Sequence, residues 1–544
     1  MQKSHFNEWL LRWMFNRLKM NLWNLGFELI NLVKNYSMKY LFVFLLVGLV
    51  VTSNSNAQIN DLQNWLDFAP ENRPPIEEMS FSKEALSEGD ANTAKNLLTE
   101  DKQMQMLDWH GDQWDNRVLE YGNYEMPFYY QIFGSEPSDG RSLFISLHGG
   151  GGTTAGVNDQ QYSNQQHLYD ATMNSLEGVY LAPRAPTNTW DLWHQSHIDE
   201  FLNVIIQLAV IKENVNPNKV YILGYSAGGD GLYQLAPRMA DRWAAASMMA
   251  GHPNDASPLG LRNTPFAIHV GSLDDAYNRN GMAEEWGVSL DNLQANDSQG
   301  YIHDVQLHAG LGHWMNLQDA VALPWMTNYQ RNPIPQKVVW KQDNRHHTSF
   351  YWLKIPENEI ATGGAVFAEY NPDLNEINII ENYSDTLKLM INDDMLNLDD
   401  LITIKYQNTV IHEGLFHRTI LNIYNSLLTK GDAYLTFPCR ISIHNNQTIT
   451  EENVTLGYLD HHPAPNDIKI YPNPVHDYLH LDWTAQLKKE STISLVNIQG
   501  NVMRTFKTSL QKNEVALGDL ASSIYFLKIE NDHHQITRKF IKNK

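Results

Sequence analysis

The sequence predicts an α/β domain, a mostly parallel sheet with helices on both faces, followed by an all-β domain and a smaller C-terminal β unit. Between residues 58 and 333, short apolar runs alternate with longer stretches of helical periodicity, the texture of a parallel sheet covered by helices. After "RNPIPQK" (331–337) the chain turns to short strands broken by turn residues: "KVVWKQ", "SFYWLKI", "AVFAEY", "INIIEN", "TLKLMIND" and "LITIKYQ". A Pro- and Asn-containing linker, "HHPAPND" (461–467), leads into a last run of short strands with Gly and Asn turns, residues 467–544.

The elements of the first domain follow in order. A helix is expected around "SKEALSEGDANTAKNLL", then strands at "MPFYYQIFG" and "SLFISLHGGGG", the second ending in a glycine cluster. "HIDEFLNVIIQLAVIKE" has apolar residues at helical spacing and an acidic first turn. "NKVYILGYS" and "PFAIHVG" read as buried strands. The region 334–460 reads as a sandwich interrupted by one helical stretch, "RTILNIYNSLL". Its aromatic cluster "FYWL" (350–353) is expected to be core rather than a binding face, because alternating strand residues mostly face a core.

Composition narrows the function. With 544 residues, 42% apolar and 19% charged, the chain has enough material for several domains and a sizeable core. A formal net charge of −22 argues against nucleic acid or an anionic membrane as the main partner. Cys439 is the single cysteine, so neither an intrachain disulfide nor a cysteine-built zinc site is expected. The pairs His346–His347, His461–His462 and His533–His534 make no metal site by themselves, since adjacent residues on a strand face opposite sides. No metal and no cofactor are expected.

Residues 1–57 read as leader and signal peptide. Met38 and Lys39 precede the apolar run "YLFVFLLVGLVV" (40–51), which is too short for the ~20 residues a bilayer span requires. Small residues Ser55 and Ala57 then place signal cleavage after Ala57, and no stable membrane span is expected in the mature protein. Residues 1–37, with Trp9, Trp13 and Trp23 among basic residues, read either as a membrane-surface helix or as sequence upstream of a true start at Met38, the reading preferred.

The chemistry centres on "VYILGYSAGGDGLYQLA" (220–236), where an apolar strand stops at Gly224 and helical periodicity begins just past Ser226. A Gly-x-Ser-x-Gly segment at a strand-to-helix junction is a sharp turn that exposes the serine above a sheet. Standing alone the motif is weak, and a helix-capping serine would explain it as well. Its surroundings decide. Asp274 lies just past the strand "PFAIHVG", and His313 lies in the glycine-flanked loop after "DVQLHAG". The order Ser226, Asp274, His313, each about one β–α step from the next, is that of a nucleophile, an orienting acid and a base. Asp275 is the alternative acid; Asp274 is preferred for its spacing. His308, His148 and His252 are expected in structural or loop roles. Upstream, "LHGGGG" offers unobstructed backbone N–H groups, so an oxyanion hole is expected from Ala227 and one glycine of 149–152, Gly150 preferred.

Residues about 120–330 resemble α/β-hydrolase esterases of the polyhydroxybutyrate-depolymerase and feruloyl-esterase type, through "LHGGGG", "GYSAGG", "GSLDDAYNRN", "GHW" and "APRAPTNTWDLWHQSHIDE". The resemblance implies an α/β-hydrolase fold and a serine hydrolase acting on carboxylic esters. It also implies a substrate pocket bordered by Trp190, Trp193 and Trp314, although packing beneath the loop would explain the tryptophans equally well. The glycine loop departs from the depolymerase pattern, in which a larger residue follows His-Gly. "IKIYPNPVHDYLHLDW" and "LASSIYFLKIENDHHQITRKFIK" resemble a type IX secretion system C-terminal sorting domain. That implies a small β-sandwich, the secretion machinery as a partner, and a secreted or cell-surface address reached through the periplasm. Ser523 stands where such domains carry a glycine, in what reads as a turn. The expected substrate is an ester, with polysaccharide-linked or polyester forms suggested by export. A serine peptidase of prolyl-oligopeptidase type and an inactive binding protein on the same scaffold are the alternatives.

Overall fold

The computed structural model describes residues 57–455, 468–483, 491–497, 502–508, 512–531 and 534–543. The signal segment and the whole 461–467 linker, with the pair His461–His462, lie outside them. The chain divides into two compact units, one holding the described residues to Ser82 with Leu86–Glu451, the other Lys83–Ala85 with Glu452 onward.

The first unit is organised by an eight-stranded sheet. In chain order its strands are β1 (Val118–Tyr121), β2 (Tyr124–Phe133), β3 (Arg141–Leu147), β4 (Gly178–Pro183), β5 (Val215–Tyr225), β6 (Ala245–Met249), β7 (Phe266–Gly271) and β8 (His303–His308). The spatial order is β1-β2-β4-β3-β5-β6-β7-β8, antiparallel at the first two junctions and parallel from β4 to β8. This is the α/β-hydrolase arrangement. Parallel strands need long crossovers, and here helices supply most of them. Helix α1 (Ser196–Glu213) buries Ile198, Phe201, Leu202, Ile205 and Leu208 against the sheet at the three-to-four spacing of its sequence, and Asn214 in the left-handed region ends it. Each such side chain contributes roughly 1.5–3 kcal/mol of burial. Helices α2 (Ala227–Arg238) and α3 (Arg279–Asn296) follow β5 and β7.

The helix expected within "SKEALSEGDANTAKNLL" starts later and runs further, over Glu88–Asn116. Ser87 caps it by accepting the Asp90 N–H, while the Leu86 N–H is already committed to Arg418 O, so helical bonding begins only past Ser87. Its face packs with Ile420, Leu421, Ile423 and Leu427 of the helix Ile420–Lys430.

Residues 337–451 form two five-stranded sheets whose inner faces share one buried cluster, with Val338, Val366, Ile377 and Ile402 from one and Leu353, Leu389, Ile441 and Ile443 from the other. One junction, Glu376–Asn382 with Ile402–Tyr406, is parallel. "SFYWLKI" is not one strand. Ser349–Phe350 and Leu353–Lys354 pair with each other, because Tyr351 turns the chain at φ 51°. Phe350, Tyr351, Trp352 and Leu353 are all buried, which identifies them as core.

In the second unit, a three-stranded and a four-stranded sheet enclose Val475, Leu479, Leu481, Leu495, Val515, Leu527 and Phe540. Ser523, expected in a turn, opens the strand Ser523–Asn531 and pairs with Lys542, a position that needs no glycine. Among the described residues, no helix is long and apolar enough to cross a membrane.

Candidate active site

Ser226 sits between β5 and α2 with φ 57° and ψ −117°, a conformation that costs an L-residue on the order of 1–3 kcal/mol. The surroundings impose it. A Cβ on Gly224 would fall 2.4 Å from Gly228 O, and one on Gly228 would fall 2.3 Å from Leu147 O, so strand, turn and neighbouring strand meet only with glycine at both places. The Ser226 N–H donates to Met249 O at 2.9 Å, and Ser226 O accepts from the Asp230 N–H at 2.9 Å. The side chain is thereby fixed at the carboxyl end of the sheet.

His313 and Asp274 arrive there from the loops after β8 and β7. Ser226 Oγ lies 3.0 Å from His313 Nε2, and His313 Nδ1 lies 2.8 Å from Asp274 Oδ2. The Asp274 side chain is 1% exposed and that of His313 is 43% exposed, so the carboxylate is shielded while the imidazole is open to solvent. Gly271 lets the two loops touch, since a Cβ there would lie 2.1 Å from Gly312 O. Tyr225 Oη donates to His313 O at 2.7 Å and accepts from the Met315 N–H at 3.0 Å, pinning the histidine loop to the residue before Ser226. Asp275, the alternative acid, is exposed and makes no capping bond.

The glycine loop lies over the serine. The Cβ position of Gly149 is 3.1 Å from Ser226 Cβ, and Gly150 and Gly151 take φ values of 113° and 111°. Buried Asn158 clamps the loop: its Oδ1 accepts the Gly151 N–H at 3.0 Å and its Nδ2 donates to Gly151 O at 3.1 Å. The Gly151 N–H is therefore committed to Asn158, and the Ala227 N–H belongs to the first turn of α2. His148 fixes the loop from beneath, donating from Nδ1 to Gly149 O at 2.6 Å and accepting the Ala185 N–H at Nε2 at 3.1 Å. Burial lowers its pKa to about 4, so it is neutral at physiological pH.

The three tryptophans part company. Trp190 is 63% exposed beside Gly152, with its ring centroid 5.8 Å from that of Tyr277, and Trp314 is 49% exposed, 5.7 Å from Tyr225. Trp193, expected at the pocket border, is instead fully buried. Its Nε1 donates to His148 O at 2.9 Å, and Gly231 of α2 leaves room for its ring, so it packs beneath the glycine loop. His308 pairs with His269 inside the sheet at 3.1 Å, and His252 donates its backbone N–H to Asp230 Oδ1 at 2.6 Å. Burial raises the pKa of Asp230. His346 and His347 lie in a loop rather than on a strand and bond separately, to Thr362 and Asp199. Sequence reasoning missed Tyr225, Asn158, Tyr277 and Arg279. Only Tyr225, adjoining the serine, stood in a position that could have drawn notice.

Strand order and the turn at Ser226 define an α/β-hydrolase fold, and the chain ends in a sorting domain. The family model of the secretion system C-terminal sorting domain matches residues 469–543. A search of curated proteins finds no match. Among solved structures, the chain is similar to a thermostable esterase at 16% identity, covering 40% of this chain and 64% of that one with a TM-score of 0.32. The match thus spans less than two thirds of that esterase. A ferulic acid esterase matches at 16% identity, over 39% of this chain and 96% of that one, TM-score 0.28. A poly(3-hydroxybutyrate) depolymerase from Bordetella parapertussis matches at 14% identity, over 40% and 88%, TM-score 0.31.

Proposed function

We propose that the chain is a secreted serine hydrolase that cleaves carboxylic esters through an acyl-enzyme. The observation that carries this reading is the unbroken contact series from Ser226 Oγ to His313 and on to the buried Asp274. A serine hydroxyl is a weak nucleophile at neutral pH. His313 Nε2 takes its proton as Oγ bonds to the acyl carbon, and Asp274 stabilises the imidazolium that forms. The N–H groups of Ala227 and Gly150 hold the oxyanion, each worth about 10²–10³ in turnover. His313 then protonates the departing alcohol, and water, activated by the same imidazole, releases the acid. The engagement of the Gly151 N–H by Asn158 removes that glycine from the 149–152 run and supports Gly150 as the preferred loop donor.

The exposed rings of Trp190 and Trp314 border the cleft where acyl or alcohol groups would lie. With an exported address, they favour a polymeric ester, an acylated or feruloylated polysaccharide or a polyester. The test is hydrolysis of short-chain p-nitrophenyl esters by the mature chain beside a Ser226→Ala version, with fluorophosphonate labelling in parallel. Turnover and labelling that vanish together with Ser226 support the reading. Labelling without ester turnover redirects it to peptides, and an inert wild type refutes it.

A further inference from the structure

Three unfavourable features coincide just past Asp274. Tyr277 and Asn278 both lie in the left-handed region, with φ 58° each, although neither is glycine. Arg279 opens helix α3, where a positive charge opposes the helix dipole. Its side chain is also buried, with Nε lacking any hydrogen-bond partner. A fold retains such costs together where the geometry they produce has a use.

What they produce is a guanidinium turned back onto the acid. Arg279 Nη1 lies 3.5 Å from Asp274 Oδ1, the oxygen that does not face His313, and donates to Ala276 O at 3.3 Å. The Cζ sits 4.9 Å from the centroid of the Tyr277 ring, which closes it in from the other side. We infer that Arg279 is a positioning residue of this site, balancing the Asp274 carboxylate from the oxygen turned away from His313 while the other oxygen holds the imidazole. The inference rests on the catalytic reading of Ser226, His313 and Asp274.

The titratable and charged groups around His313 are Asp274, Arg279, Asp230, His252 and Tyr225, with Asp319 behind Tyr225. Asp230 interacts with both Arg279 and His313. Without Arg279, Asp274 would face the imidazole with no cation on its other oxygen, an arrangement that favours positive charge beside it. Arg279 stands one carboxylate away from the imidazole, and removing a charge at that range is worth about one pH unit after solvent screening.

The experiment measures the rate of fluorophosphonate labelling of Ser226 against pH in the full mature chain, which needs no knowledge of the natural substrate. Arg279→Gln is expected to move the acid limb up by about one unit, so that labelling is ~tenfold slower below the limb and equal to wild type above it. Arg279→Lys keeps the charge and is expected to hold the limb at the wild-type position. A Gln limb that stays in place, or a uniform loss at every pH, would overturn the inference. So would a Lys limb displaced as far as the Gln one, which remains a test even where the Gln protein does not fold. A wild-type chain that is never labelled overturns the catalytic reading, and this inference with it.

Discussion

Mild acid is expected to destabilise this protein through its buried histidines, well before most carboxylates titrate. His148 and His269 are fully buried. Burial lowers their pKa values from the ordinary 6.5 to about 4 for His148 and to about 3 for His269. Unfolded chains bind these protons and the folded one refuses them, so the stabilisation is complete above pH 6.5 and is lost as pH falls toward the folded values. At pH 5.5 an unfolded histidine is about nine-tenths protonated and the folded one almost wholly neutral, a loss of about 1.4 kcal/mol per group relative to pH 8. The pair therefore costs about 3 kcal/mol, and His194, lowered by burial to about 4, adds in the same direction. Asp230, Asp319 and Asp343, whose values burial raises, work in the opposite sense nearer the carboxylate range, which is why pH 5.5 is the better comparison. The assay is urea unfolding followed by tryptophan fluorescence at pH 8 and pH 5.5, with His148→Gln beside the wild type. Glutamine keeps a donor for Gly149 O and an acceptor for the Ala185 N–H but does not titrate, so the pH difference should shrink by about 1.4 kcal/mol. Equal stability at both pH values, or an unchanged difference in the variant, would refute the reasoning.

Trp193→Ala should destabilise by about 3–5 kcal/mol in the same unfolding assay, whereas Trp190→Ala should cost under about 0.5 kcal/mol and raise KM for ester substrates. Asn158→Ala frees the Gly151 peptide and should lower kcat by about tenfold or more with little change in KM, because a mobile glycine loop no longer presents its N–H groups. Asp432→Asn leaves Arg331 and Arg242 buried without their carboxylate, from which they stand 2.7 and 3.4 Å, and should cost about 3–5 kcal/mol, read as a lowered urea midpoint.

The residues that were legible in the sequence share one property: each advertises itself locally. Ser226 sits between glycines at a strand end, and Asp274 and His313 follow strands whose apolar runs stop abruptly, so chain order alone suggested their meeting. Trp190 and Trp193 offered no such distinction. They are three residues apart in one loop, yet one is 63% exposed and the other wholly buried, a difference made by Gly231 on a helix some forty residues later. Arg279 was invisible for a related reason. Its role depends on Tyr277 and Asn278 adopting positive φ, which composition does not announce in residues other than glycine. "SFYWLKI" misled because four consecutive core residues look like a buried strand, whereas the turn at Tyr351 lets all four be buried without one.

The β-rich segment following the sheet bears on the site through the loop 343–347. Arg345 Nε donates to His194 O at 2.6 Å, within the loop that carries Trp190, and His347 Nε2 meets Asp199 Oδ2 at 2.7 Å where that loop enters α1. The other oxygen of Asp199 accepts from Arg238 at 2.6 Å, at the far end of the helix that begins beside Ser226. Burial alone would raise the Asp199 pKa, but Arg238 and His347 outweigh it and hold the carboxylate ionised. The tryptophan loop is thus anchored on one buried carboxylate, gripped from the serine helix on one side and from residue 347 on the other. A chain cut at residue 333 would keep every residue of the proposed triad and oxyanion hole, yet lose His347 and Arg345. Leaving a buried carboxylate short of a hydrogen-bond partner typically costs about 1–3 kcal/mol, and here that cost would fall on the loop that carries Trp190. The β-rich segment therefore helps hold the Trp190 loop in place.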